Sequence, residues 1–295
     1  MSHNAILLIA AGIVFYTGQG FFNKLFSVSH PADASMVSPV FNVIYGLVVA
    51  VGTFVFSGSR FEPDGSTLLF GAANGVTLFL YNYSAIHAAK SGPYTLQSMV
   101  SSFGNILIPL IWSLFVWGER ISAVKSAGIG CMMLALYLYN GGKISRSGIM
   151  RGGSVWFVMV FLANGVYSLL NAAQQRYETG AFRTDMIIMT FLTTAVLSGA
   201  CLLFPGNKAD VRAFRMPVKA AAFAAASSVC AAAAINTLMM TLALVPAAIL
   251  YPIEAGGILI AGTLLSRAVL GETIDRHKCL GIAAAAAGLV LTNIG

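Results

Sequence analysis

One acidic residue, Glu254, lies deep inside a long apolar segment of the sequence. It follows Pro246 by eight residues, which corresponds to about 12 Å along a helix. In a segment that crosses a bilayer, this depth is close to the midplane, where an ionisable residue is functional by default. Because a low dielectric favours the protonated carboxyl, Glu254 can bind a proton from one side and release it to the other, or it can pair with a substrate amine. The structural alternative is a permanently protonated Glu254 that hydrogen-bonds to a neighbouring helix.

Tyr251 and Pro252 lie one helical turn before Glu254. Proline inside a helix frees a backbone carbonyl and kinks the helix. Broken helices beside a central cavity recur in transporters, so Tyr251 is a second candidate for a binding residue. The alternative is a kink that serves helix packing alone.

Uncharged polar side chains also lie inside the apolar segments, where they cannot face lipid without a cost in free energy. These residues are Tyr16, Gln19, Asn74, Asn82, Gln97, Asn105, Asn171, Gln174 and Asn236. Some will be interhelical ties, worth roughly 0.6 to 2 kcal/mol each, but a cavity for a polar or aromatic solute needs the same donors and acceptors. We therefore predict a substrate site that groups Glu254 with Tyr251, Gln97, Asn82, Asn236, Asn171, Gln19 and Tyr16.

The elements that carry these residues are predicted from composition and hydropathy. Only 9% of the 295 residues are charged and 58% are apolar, with a mean hydropathy of +0.82, values that indicate an integral membrane protein rather than soluble domains. Apolar runs bounded by Gly, Pro, Asn and charges predict an all-α fold of ten transmembrane helices. The predicted spans are approximately 4–22, 34–57, 67–87, 93–117, 121–139, 154–175, 184–204, 217–242, 246–266 and 276–293.

The second half of the chain repeats the first. Residues 93–140 align without a gap on residues 246–293, and the clearest match sets Gly118-Glu119 against Gly271-Glu272. Five helices per unit is an odd number, so the second copy enters the membrane from the opposite face. This predicts two inverted repeats, 1–140 and 154–295, joined by a loop at 141–153, around a central cavity that can open to either side. Ser101 is the counterpart of Glu254 in this alignment, so the two halves differ at that position.

Several short motifs occur in both halves of the chain. They are Tyr81-x3-Ala85-Ile86, Gly92-Pro93-Tyr94-Thr95 and the Gly118-Glu119 turn, echoed by Pro246-Ala247-Ala248 and Gly271-Glu272. This pattern resembles the EamA family of the drug/metabolite transporter superfamily, and the similarity extends over residues 5–294.

The resemblance implies a monomeric secondary transporter of a small organic solute, such as an amino acid, a metabolite or a drug, in the cytoplasmic membrane of a prokaryotic cell. It favours export, and it places Asn82 and Gln97 on helices that line the cavity. The first helix holds no acid between Gly12 and Lys24, so the proton route of the small multidrug exporters is not expected here.

The direction of insertion is predicted differently by charge and by resemblance. Most of the 17 Lys and Arg residues fall in loops on the face opposite to the termini, which by the positive-inside rule puts both termini outside. The resemblance implies termini in the cytoplasm. Both orientations are therefore retained as predictions.

Other function classes find little support in the sequence. The basic residues, which give a net charge of +7, are scattered singly without an aromatic-basic patch, so nucleic-acid binding is not indicated. No nucleotide-binding or nucleophile motif occurs, and the four cysteines lack metal-site spacing, so we expect no enzyme, no cofactor and no metal. His87 fits a solvated interfacial residue, and Glu119 and Glu272 fit tight turns before a helix. The alternatives left open are an uncoupled facilitator or exchanger and, more distantly, a membrane enzyme acting on lipid-linked substrates or a scaffold.

Overall fold

Ten α-helices make up nearly all of the part of the chain that the structure describes. The computed structural model describes residues 3–29, 34–91, 94–139, 154–177, 183–203, 216–271 and 275–294. In chain order the helices are α1 (His3–Ser29), α2 (Ala34–Phe56), α3 (Gly65–Ser91), α4 (Tyr94–Phe115), α5 (Ala123–Tyr139), α6 (Ser154–Tyr177), α7 (Arg183–Leu203), α8 (Val218–Leu242), α9 (Ala247–Leu270) and α10 (Arg276–Ile294). Each predicted apolar segment coincides with one helix, so the all-helical prediction is confirmed. The predicted loop 141–153 lies outside the described residues.

Six of these helices are long and apolar enough to cross a membrane, judged on the described residues: α1, α2, α6, α7, α8 and α9. Shorter apolar helices occur at Val100–Phe115 in α4 and at Ala123–Tyr139 in α5. Large apolar side chains such as Phe115, Val218 and Leu203 are exposed on the outside of the bundle, as expected where lipid rather than water is the solvent. The chain is therefore a helical, membrane-embedded protein.

Odd-numbered helices run in one direction and even-numbered helices in the other. For example, Gly128 of α5 contacts Thr292 of α10 and Gly281 of α10 contacts Tyr139 of α5, so this pair is antiparallel. We call the end of the bundle where α1 begins the amino-terminal end, and the end where α1 finishes the far end.

Helix packing follows a regular scheme. The closely packed pairs are α5 with α10, α1 with α8, α2 with α7 and α4 with α6, followed by α3 with α6 and α7, α2 with α8, and α1 with α9. When five is added to or subtracted from each helix number, these eight pairs exchange with one another. The α9–α10 contact departs from this rule, since it is nearly as extensive as the α1–α9 contact whereas the equivalent α4–α5 contact is small. Close approach is possible because of small residues: a Cβ on Gly281 would lie 2.9 Å from the Ala135 carbonyl oxygen.

Two glycines in equivalent sequence positions follow α4 and α9. Gly118 and Gly271 have φ angles of +65° and +66°, a left-handed conformation that only glycine adopts without strain. Gly271 directly caps α9, whereas Gly118 lies in the turn three residues after the end of α4. Glu272 itself lies outside the described residues.

The largest buried cluster among the described residues surrounds the first two turns of α9. Leu250, Tyr251 and Met239 are almost inaccessible and pack with apolar residues from α1, α2, α6 and α7. The segment that carries Glu254 therefore passes through the centre of the bundle.

Candidate functional site: a cavity around Glu254

A cavity of about 340 Å³ lies at the centre of the bundle, between helices of both halves of the chain. Its size falls within the range of small-molecule sites, roughly 300 to 1,000 Å³. It is lined by Tyr16, Ser102, Asn105, Leu136, Tyr139, Asn164, Tyr167, Ser168, Leu238, Tyr251, Glu254, Ala255, Ile258 and Leu259.

Glu254 is the acid of this cavity and is only 5% exposed. Within the described part of the chain, no side chain donates a hydrogen bond to the Glu254 carboxyl, and no Lys, Arg or His side chain lies within ion-pair distance of it. The ion pair among the described residues is elsewhere and joins Arg176 to Glu119. Gly12 of α1 faces the carboxyl closely, since a Cβ at that position would lie 3.0 Å from Glu254 Oε1. The carboxyl group thus fits because Gly12 has no side chain, but no described residue neutralises its charge.

Tyr251 ties α9 to α6 beside Glu254. Its phenol donates a hydrogen bond of 2.6 Å to the backbone carbonyl oxygen of Ser168, and the Ser168 hydroxyl in turn donates to Asn105 Oδ1 on α4. Tyr251 also lines the cavity, while its phenol proton is already used in the bond to Ser168.

Ser101, the counterpart of Glu254 in the repeat, is fully engaged in helix contacts. Its hydroxyl donates to the Tyr81 phenol oxygen (3.1 Å) and accepts from Asn164 Nδ2 (3.0 Å), which also donates to the Ser101 carbonyl oxygen (2.9 Å). The same position is therefore a polar tie in α4 and an unpartnered acid in α9.

Three of the predicted site residues meet in the cavity: Glu254, Tyr251 and Tyr16. Asn82, Asn236, Asn171 and Gln19 are not among the residues that line this cavity; Asn236 lines a separate space between α1, α2 and α8, and all four amides form ties between helices. Asn82 donates to Asn42 (3.2 Å), Asn236 to Thr53 (2.9 Å) and Gln19 to Tyr45 (2.9 Å), while Asn171 accepts from Asn74 (2.7 Å). The side chain of Gln97 lies outside the described residues.

Other residues of the lining were not singled out from the sequence. Asn164, Tyr167 and Ser168 of α6 share one helix face because of their i, i+3, i+4 spacing. The pair Tyr167-Ser168 repeats Tyr16-Thr17 of α1, and both tyrosines line the cavity. That repeated pair was a usable signal for the site.

The cavity continues towards the far end of the bundle. A second space of about 190 Å³ shares Tyr16, Tyr139, Ile258 and Leu259 with the first and extends along α1 and α9 to Phe21 and Ser266. The Tyr139 phenol, which accepts a 2.8 Å hydrogen bond from Thr263, stands where the two spaces meet. Glu254 is thus connected with the far end through polar and aromatic side chains.

No metal centre accompanies this site in the part of the chain that the structure describes. No three His, Cys, Asp or Glu side chains converge there in a way that could hold an ion. His87 lies at the far end of α3, where it contacts the rings of Tyr83 and Trp156 at 4.3 and 4.4 Å between centroids.

Comparison with known proteins extends to the fold alone. No family model and no curated protein matches the chain. Chains of solved structures do match; one, described only as a crystal structure of a protein, has a TM-score of 0.78 and covers 100% of this chain and 98% of its own, at 16% identity. A known protein therefore shares this arrangement of helices along its whole length.

Proposed function

We propose that the protein is a secondary-active transporter that moves a small organic solute across a membrane, with Glu254 binding a proton or the amine of the solute. One observation carries the proposal: a buried carboxyl without a described partner on the wall of a tyrosine-lined cavity. Removing an unpaired carboxylate from water costs on the order of several kcal/mol. Glu254 must therefore hold a proton or bind a cationic group. A carboxyl that binds a proton and a cationic solute in turn couples the movement of the proton to that of the solute.

The rest of the cavity suits a solute with polar and apolar parts. Asn105, Asn164 and Ser102 offer neutral donors and acceptors, and Ala255, Ile258 and Leu259 offer apolar surface beside Glu254. Sites that bind small organic molecules combine mostly apolar walls with a few polar groups in this way. Amino acids, amine-bearing metabolites and drugs fit this description.

The architecture that we propose for transport is ten membrane spans in two inverted five-helix repeats, 1–140 and 154–295. Three observations support it: the alternation of helix directions, the helix pairs that exchange when five is added to a helix number, and the left-handed glycine after both α4 and α9. Two halves of this kind can rock about a central site and expose it to each side in turn.

Family, location and direction belong to the same proposal. The motifs around Gly118-Glu119 and Gly271-Glu272 resemble EamA members of the drug/metabolite transporter superfamily. On that basis we propose a monomer in the cytoplasmic membrane of a prokaryotic cell, acting as an exporter.

Transport can be tested in proteoliposomes with an imposed pH gradient and a pool of amino acids, amines and aromatic metabolites. Vesicles with the parent protein, with Glu254→Gln or without protein are washed, and the retained compounds are identified by mass spectrometry. We expect at least one compound to accumulate with the parent protein only. Equal, gradient-independent equilibration with both proteins would instead indicate a facilitator or exchanger with a structural Glu254. Retention no greater than in empty vesicles across the pool would contradict transport.

A further inference from the structure

Four residues form a compact cluster at the amino-terminal end of the bundle. Arg176 Nη1 lies 2.8 Å from Glu119 Oε1, and the Arg176 guanidinium lies over the Trp117 ring at 5.0 Å from its centroid. The Trp117 indole donates a 3.0 Å hydrogen bond to the Tyr177 phenol oxygen. We call these four residues the amino-terminal cluster. Glu119, which the sequence suggested to be a turn residue, thus also has a long-range partner.

The cluster joins the two halves of the chain. Trp117 and Glu119 belong to the turn between α4 and α5, whereas Arg176 and Tyr177 form the last turn of α6. Its contacts are also accessible, since the Arg176 side chain is 43% exposed. Exposed ion pairs are individually weak, so this cluster can open far more easily than the buried amide ties deeper in the bundle.

Polar groups lead from the central cavity towards the cluster. Along α6, Ser168 lines the cavity, Gln174 is fully buried, and Gln175 borders a cleft of about 260 Å³ with Trp117, Glu119 and Arg176. The two amides are joined by one hydrogen bond, which Gln175 Nε2 donates to Gln174 Oε1. Their remaining atoms, Gln174 Nε2 and Gln175 Oε1, and Glu119 Oε2 are buried without a hydrogen-bond partner among the described residues. Buried polar atoms without partners are rare and call for an explanation.

We propose that the amino-terminal cluster is the gate that closes the solute path at this end, and that the path runs along α6 past Gln174 and Gln175. The inference rests on the proposed transport function. It accounts for the amide atoms that lack a partner, Gln174 Nε2 and Gln175 Oε1, because groups that line a path must bind water or solute when the gate opens. It also accounts for the contrast between the two ends: the cavity extends towards the far end, while the cluster bridges the halves at the other.

The gate can be tested by thiol labelling in proteoliposomes, on protein in which the four native cysteines are replaced by alanine. Ala172→Cys is the reporter, because Ala172 lines the cleft and is 5% exposed. A membrane-impermeant maleimide is added from the amino-terminal side. We expect Glu119→Gln to raise the labelling rate about tenfold, as a shift of the open population would. The charge-reversed pair Glu119→Arg with Arg176→Glu should restore the slow rate.

Two controls separate gating from local damage. Arg120→Gln neutralises a neighbouring, exposed charge outside the cluster and should leave the rate unchanged. A second reporter, Ser266→Cys, borders the space at the far end and is labelled in a parallel experiment with the maleimide added from the far side. Its labelling should fall when the gate opens, whereas unfolding would raise labelling at both positions. Equal rates in Glu119→Gln and Arg120→Gln, no rescue by the reversed pair, or a rise at both reporters would overturn the proposal. Labelling needs no solute, so its failure is distinct from a failed transport screen.

Discussion

Helices α4 and α9 repeat one another in sequence, yet they treat their equivalent central positions in opposite ways. Ser101 in α4 shares hydrogen bonds with Tyr81 and Asn164, whereas Glu254 in α9 faces the cavity with no described partner. Equivalent positions of two helices with similar sequences therefore hold a hydrogen-bonded hydroxyl in one case and an ionisable acid in the other. The comparison teaches that similarity in sequence between the two helices does not extend to the chemistry of their central side chains.

The largest expected effect separates these two positions by function. Glu254→Gln keeps the shape of the side chain but removes its proton, so we expect coupled solute accumulation to fall at least about 100-fold, as loss of a functional intramembrane acid implies. Ser101→Ala should change accumulation by less than about threefold, because it removes a helix tie only. Both variants are compared in the same vesicle assay. A comparable loss of solute accumulation in both variants would contradict a functional difference between the two positions.

In thermal unfolding, we expect Ser101→Ala to be the more damaging of the same two variants. Ser101→Ala removes the two hydrogen bonds that the hydroxyl makes with Asn164 and Tyr81, which we expect to cost about 1 to 3 kcal/mol. Glu254→Gln removes an unpaired ionisable group and should leave the melting temperature unchanged or higher. Differential scanning fluorimetry in detergent gives both values, and a marked loss of stability in Glu254→Gln would show that the acid is structural.

Gly12 leaves the space that the Glu254 carboxyl occupies, so a substitution there tests how precisely the acid must be positioned. A methyl group there would lie 3.0 Å from Glu254 Oε1, so we expect Gly12→Ala to displace the carboxyl and to lower the coupled transport rate about tenfold, as small misplacements of reacting groups do. Gly130→Ala on α5 is the matched control, since a Cβ there meets nothing within 4 Å. Equal rates in the two variants would refute a positioning role for Gly12.

Tyr251→Phe tests the tie beside the acid. Loss of the hydrogen bond to Ser168 should cost about 1 kcal/mol of stability and should raise the solute KM about threefold to tenfold, because α6 and α9 then hold the cavity wall less firmly. Tyr83→Phe, at an exposed tyrosine of α3, is the control. An unchanged KM would remove Tyr251 from the site.

The smallest effect on transport is expected for amides that do not line the cavity around Glu254. Asn82→Ala and Asn236→Ala break ties worth about 0.6 to 2 kcal/mol, and so should lower the melting temperature while leaving the solute KM within about twofold. A large change in the solute KM with an unchanged melting temperature would show that these residues contact the solute.

The sequence predicted the helices and the acid but not the amide contacts, for a physical reason. Glu254 could be recognised because a single acid in an apolar span has few roles, and the helices because their apolar runs are long. Asn82 and Asn236 could not be placed, since a helix with lipid on one side and apolar protein on the other has no hydrophobic face that fixes its rotation. The approach of Arg176 to Glu119 depends on how the two halves meet, which local patterns do not report.

The most direct test of the account measures proton movement itself. Vesicles loaded with a pH-sensitive dye receive a solute identified in the screen, with no gradient imposed, and the parent protein is compared with Glu254→Gln at equal amounts of reconstituted protein. The account predicts a solute-driven pH change with the parent protein and none with Glu254→Gln. An equal pH change in both would contradict the assignment of Glu254 as the residue that couples proton and solute.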